Sequence, residues 1–132
     1  MKLAYLNLDK DQIEIKNRKI KLKIFREEDV DYNYLKWMKD SEICKYIEKA
    51  NKDISINDLK LFVSTMYNSK DNFFFRILDI RTQKHIGNVR IGPINGENMS
   101  TAFGILIGDL DSHNKGYASD VFNLILQFCE KK

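Results

Sequence analysis

At 132 residues, with 43% hydrophobic and 31% charged residues, the chain has the make-up of one globular domain and not of a disordered one. The net charge of +3 is dispersed among interleaved Lys, Arg, Asp and Glu, which argues against a nucleic-acid-binding surface, and no apolar run approaches the length of a membrane span. The N-terminus, MKLAYLNLDKDQ, turns polar too early for a signal peptide, so the expectation is a cytoplasmic protein.

Ile13 and Ile15 alternate with polar residues, residues 16–18 offer a turn, and residues 20–25 alternate clearly, which together predict a hairpin. Lys19, Lys21 and Lys23 read as its wet face, with Ile20, Leu22 and Ile24 turned inward. Residues 27–39 predict a helix with a stripe of Val30, Tyr34, Trp37 and Met38, and with Glu27, Glu28 and Asp29 complementing the dipole in its first turn. Arg26 stands where its N-cap belongs and is a poor cap. Residues 40–54 are ambiguous, with a short helix through Ile43, Tyr46 and Ile47 as one reading. Ser55 and Asp58 resemble a capping box, and the helix they open runs through Leu59, Phe62, Val63 and Met66 to about residue 67.

Three strands follow, at 72–78, 85–91 and 100–107, joined by short polar turns at 79–84 and 93–98, which argues for an antiparallel meander. A helix from about Gly116 closes the chain, with Ala118, Val121, Phe122, Ile125, Phe128 and Cys129 at the spacing of a buried face. The expected class is α/β mixed (α+β), with a central, mainly antiparallel sheet and flanking helices in a single domain. There is one proline and no linker-like tract to mark a boundary. Cys44 and Cys129 form no C-x-x-C pair and read as buried, reduced thiols. His85 and His113 are isolated, so no metal site is expected.

The informative stretch is STAFGILIGDLDSHNKGYAS, residues 100–119: an apolar strand, a polar loop, and a glycine opening a helix. A helix N-terminus carries unsatisfied N–H groups and the positive end of the dipole, so it is suited to an anion, and Gly116 lets that anion approach the backbone.

The element order, together with His113-Asn114-Lys115-Gly116-Tyr117-Ala118, resembles the GNAT superfamily of acetyl-CoA-dependent N-acetyltransferases, whose pyrophosphate signature is Arg/Gln-x-x-Gly-x-Gly/Ala. KGYAS, IKLKIFREEDVDYNYLKWMKDSEICKYI and HIGNVRIGPINGENMSTAFGILIGD resemble the branch that acetylates ribosomal protein N-termini, over residues 20–132. His113 and Asn114 depart from the usual signature residues. The family fold continues with a further strand, helix and two strands that this sequence does not contain, so the expectation is a fold lacking its C-terminal part.

The resemblance implies acetyl-CoA as co-substrate. Ile105, Leu106 and Ile107 would offer main-chain groups to the pantetheine arm, and His113, Asn114, Lys115, Gly116, Tyr117, Ala118 and Ser119 would surround the pyrophosphate. Asn88 and Arg90, read on one strand face with Ile86, would meet the acceptor together with Tyr46; for Tyr46 and Trp37, plain core packing is the stronger reading. No catalytic base is legible, because loop solvation accounts for Glu97, Asp109 and Asp111. The activity so implied is acetyl transfer to a primary amine of a small molecule or a peptide. The competing class is a non-catalytic acetyl-CoA-binding domain. An exposed sheet edge would make the chain a homo-oligomer.

Overall fold

Glu14–Lys16 (β1) and Ile20–Ile24 (β2) form the expected hairpin in the computed structural model, which describes residues 10–40, 53–92, 103–108 and 116–130. Asn17 shapes the turn, its Oδ1 accepting from the main-chain N–H groups of Lys19 (2.8 Å) and Ile20 (2.9 Å). Ile20, Leu22 and Ile24 are buried and Lys19 and Lys23 exposed, as the alternation requires.

The helix read at 27–39 is two pieces. Glu27–Asp29 make a 3₁₀ turn, and helix α1 begins only at Tyr32 (Tyr32–Lys39). The cause is a pair of acidic side chains that each close their own turn. Asp29 Oδ2 accepts from the Arg26 N–H at 3.0 Å, and Asp31 Oδ1 accepts from the Tyr34 N–H at 3.0 Å, so Asp31 is the true N-cap. Val30 between them is extended, with φ −69° and ψ 128°. Helix α2 (Ile56–Asn68) starts where its capping box predicts: Ser55 Oγ accepts from the Asp58 N–H at 3.1 Å, and Asp58 Oδ2 from the Ser55 N–H at 2.9 Å. Phe62, expected inside, sits at the rim of that face, edge-on to Phe74 at 5.4 Å.

Phe73–Asp79 (β3), His85–Ile91 (β4) and Phe103–Ile107 (β5) extend the hairpin into one antiparallel sheet of order β1-β2-β3-β4-β5. Helix α3 (Tyr117–Glu130) covers one face. Tyr117, Val121, Leu124, Ile125 and Phe128 pack there on Ile20, Leu22, Phe73, Phe75, Ile77, Val89 and Ile91. Helices α1 and α2 cover the other, where Tyr34, Trp37, Leu59, Val63 and Met66 meet Phe25, Phe74 and Leu106. The period-2 alternation of the Phe-rich β3 thus feeds two cores at once, Phe73 and Phe75 into one and Phe74 into the other.

The buried face of α3 is rotated from the expected one. Leu124 and Tyr117 turn inward, while Ala118 and Phe122 turn outward. Tyr117 sets this rotation: its hydroxyl donates to Asp79 Oδ2 at 2.7 Å, at the end of β3. The stretch 41–52 with Cys44 and Tyr46, the 93–98 turn and the Cys129 side chain lie outside the described residues.

The 3₁₀ turn Lys10–Gln12 is pinned by Lys10, whose Nζ donates to the carbonyls of Met66 (2.8 Å) and Asn72 (2.5 Å) above the Phe73 ring. Burial pushes its pKa down to about 8, against a smaller opposing effect from Asp71.

Candidate active site

β5 is the last strand of the sheet among the described residues. The Gly108 N–H donates to the Ile86 carbonyl at 2.9 Å, and Leu106 lies opposite Asn88, with Gly104 opposite Arg90. Antiparallel pairing alternates, so Leu106 and Gly104 turn their main-chain groups toward β4, and Ile105 and Ile107 turn theirs away from it. Two of the three strand residues expected to meet an amide-bearing ligand therefore face outward. Leu106 instead has its main chain in the ladder and its side chain in the core under α1 and α2.

Where β5 ends, the backbone passes beneath Trp37. A Cβ on Gly108 would overlap three atoms of the indole, so only glycine lets the ring sit there. Trp37 is 8% exposed and stands edge-on to His85 at 5.0 Å. Core packing is what the sequence favoured for Trp37, and the structure adds that this packing borders the strand exit.

Residues 109–115 lie outside the described residues, and with them His113, Asn114, Lys115, Asp109 and Asp111; so does Glu97. At Gly116 the chain has φ +78°, a left-handed conformation that favours glycine. The residue is exposed, and the Lys19 ammonium is the nearest group to a Cβ placed there, at 3.8 Å. Ala118 and Ser119 are exposed on the first turn of α3, whereas the Tyr117 side chain is committed to Asp79. That bond holds the Asp79 carboxyl below its ordinary value. Lys19, read from the sequence only as strand surface, lies 3.1 Å from Asp120 and over the Tyr117 ring, which puts a cation beside the helix start. Nothing in its own strand pattern signalled this, because the proximity is created by the docking of α3.

A second group of polar residues occupies the sheet face under α1 and α2. Asn88 and Arg90 share that face as expected, but Ile86 does not; it packs in the α3 core. The register between β3 and β4 shifts at Ile77/Leu78, pairing Leu78 with His85 and Ile77 with Gly87. This bulge resets the alternation and brings His85 to the side of Asn88. His85 Nε2 lies 2.7 Å from Asn88 Oδ1. An amide oxygen only accepts, so Nε2 carries the proton, and in the neutral ring Nδ1 is bare. Burial pushes the His85 pKa down, the Arg76 charge adds to this, and the bond to Asn88 opposes it. Arg76, directly across from Asn88, completes the group. Arg76 Nε, His85 Nδ1, Asn88 Nδ2 and Arg90 Nε are all buried without a hydrogen-bond partner among the described residues. Arg76 was legible as the one charge inside the apolar run FFFRIL; His85 was not, because its position depends on the bulge.

Among the described residues, a five-stranded antiparallel sheet with helices on both faces, and an edge strand leading to a glycine-headed helix, defines an α+β domain with an anion-ready helix start. Residues 19–132 match the family described as Acetyltransferase (GNAT) domain, and the chain belongs to that family. No curated protein matches the sequence significantly. Among solved structures, the fold is similar to a GNAT-family acetyltransferase from Bacillus anthracis (23% identity, 88% of this chain and 65% of that one, TM-score 0.71). It is similar also to a Vibrio cholerae protein assigned as a ribosomal-protein-serine acetyltransferase (15%, 90% and 67%, 0.72). A third is spermidine N-acetyltransferase from Vibrio cholerae, in complex with CoA and spermine (21%, 86% and 64%, 0.74). This chain spans about two thirds of the length of each.

Proposed function

We propose that this domain binds acetyl-CoA and transfers its acetyl group to a primary amine. The observation that carries the reading is the placement of two features at one end of the sheet. β5 turns the main-chain groups of Ile105 and Ile107 outward there, and the Tyr117–Asp79 bond fixes the glycine-headed start of α3 beside the same end. A strand edge suits the amide groups of a pantetheine arm, as in strand addition, and a helix start suits pyrophosphate. In this reading the Ile105 main chain holds the arm, and its N–H group polarises the thioester carbonyl. The main chain of residues 116–119, the Ser119 hydroxyl and the loop residues His113, Asn114 and Lys115 take the phosphates, with the Lys19 ammonium adding to the favourable field.

Asn88, Arg90 and Tyr46 belong to the acceptor side in this reading. The amine is that of a small molecule or of a peptide, and the protein works in the cytoplasm as a homo-oligomer, which light scattering checks. Calorimetric titration with acetyl-CoA, beside a thiol-release assay over amino sugars, polyamines and peptides, tests the function. Saturable binding with turnover of at least one amine is expected. No binding refutes the reading, and binding without turnover marks a non-catalytic acetyl-CoA-binding domain.

A further inference from the structure

The polar group under α1 and α2 carries more information about the acceptor than the family does. Arg76 and Asn88 are direct cross-strand partners, and Asn88 and Arg90 stand two apart on the same face of β4, so the three side chains are nearest neighbours on one side of the sheet. Each has a buried N–H group with no acceptor among the described residues: Arg76 Nε, Asn88 Nδ2 and Arg90 Nε. Asn88 is 3% exposed, and its oxygen is already engaged by His85. Buried donors in a native fold have partners, and three adjacent unpaired ones call for a molecule that supplies acceptors.

The charges narrow that molecule. Among the described residues Arg76 pairs with one carboxylate, Asp29 at 3.5 Å, reached through a terminal nitrogen, and the Asp31 carboxylate acts electrostatically on neighbouring His85. The Arg90 terminal nitrogen reaches the neutral Asn72 Oδ1 at 3.4 Å, and no carboxylate among the described residues pairs with Arg90. Two guanidinium groups around a buried amide attract an anion and repel a polycation.

We infer that Arg76, Asn88 and Arg90 form an anion subsite on the acceptor side, and that the acceptor is an amine bearing a carboxylate and not a polyamine. Only the word acceptor rests on the acetyl-transfer reading; the subsite itself stands on the donors. A carboxylate brings two oxygens with several lone pairs, enough to receive all three N–H groups, while a diamine of equal length brings only further donors, against which this group sets one bare acceptor, His85 Nδ1.

The test is an NMR titration of the full chain labelled with nitrogen-15, following the Arg76 and Arg90 Nε–H signals and the Asn88 side-chain amide. Three length-matched probes are added in turn: 4-aminobutanoate, 4-aminobutanamide and 1,4-diaminobutane. The aminobutanoate is expected to shift all three signals saturably, about tenfold or more tighter than the neutral amide, with no saturable shift from the diamine. Arg90→Gln and Arg76→Gln are each expected to weaken the aminobutanoate about tenfold; because the wild-type comparison needs no variant, a misfolded one does not spoil the test. Equal shifts from diamine and aminobutanoate, or none from either, overturn the subsite. A tenfold-tighter response to CoA than to aminobutanoate at these signals also overturns it, by assigning the donors to the co-substrate. Failure of acetyl-CoA to bind in calorimetry refutes the acetyl-transfer reading alone, since the aminobutanoate titration reads the subsite without it.

Discussion

Gly108→Ala is the sharpest test of the packing around the strand exit. The added methyl falls inside the Trp37 indole, against three ring atoms, while the Gly108 N–H remains bound to Ile86. Glycine is required here by space and not by backbone angle, since the φ of Gly108 is not positive. Trp37 is buried between Gly108 and His85, so the ring must be displaced to admit the methyl. Overpacking of this kind costs about 1–3 kcal/mol, which at roughly 4 °C per kcal/mol lowers the melting temperature by about 4–12 °C. Trp37→Ala alone costs about 3–5 kcal/mol through the cavity it opens. In that background the added methyl has room, so Gly108→Ala becomes nearly neutral and the cycle shows a coupling of about 1–3 kcal/mol. Urea denaturation of the four proteins, followed by circular dichroism, measures this. A Gly108→Ala protein within about 0.5 kcal/mol of the parent, or an equal loss in both backgrounds, refutes the overlap argument.

Gly116→Ala forces an alanine into φ +78° and is expected to cost about 1–2 kcal/mol in the same assay, with a Gly116→Asn protein less affected. Tyr117→Phe removes the bond to Asp79; about 1 kcal/mol of stability is lost, and the Asp79 carboxyl titrates closer to its ordinary 3.8 by carbon-13 NMR. His85 has a folded-state pKa below its ordinary 6.5, so as pH falls the unfolded chain takes the proton first. Its contribution is whole above pH 6.5 and is lost as pH drops through the folded value; a His85→Phe protein should show a shallower loss of stability between pH 7 and 5, and an unchanged slope contradicts this. Lys10 titrates near 8 when folded and near 10.5 when unfolded, so its share of the stability rises with pH across that window; a reductive-methylation midpoint above 10 at this residue counts against it.

What could be read without the structure were features whose cause is local. The β1–β2 hairpin, the Ser55–Asp58 box and the meander follow from alternation, side-chain-to-backbone bonds within three residues, and short polar turns. The start of α1 was misread although its cause is equally local, because Asp29 and Asp31 compete for neighbouring turns and only one helical register can win. On the site, the strand, the glycine and the Asn88–Arg90 face were legible. The inclusion of Ile86 on that face was wrong, because a period of two holds only until a bulge interrupts it.

The amino-acid sequence by itself determined the class of fold and the apolar strand and glycine-headed helix of residues 100–119, since these are written in spacing along the chain, and it carries the family in the resemblance of its motif residues. Tertiary structure alone decided that Ile105 and Ile107, and not Leu106, face outward from β4; that Tyr117 locks α3 to Asp79; that Lys19 stands beside Gly116; and that His85, Arg76, Asn88 and Arg90 share one face. Those facts depend on which strand pairs with which residue of its neighbour and how a helix is rotated on the sheet. Both are settled by contacts between residues tens of positions apart, as the Asp79–Tyr117 bond is, and no local pattern carries them.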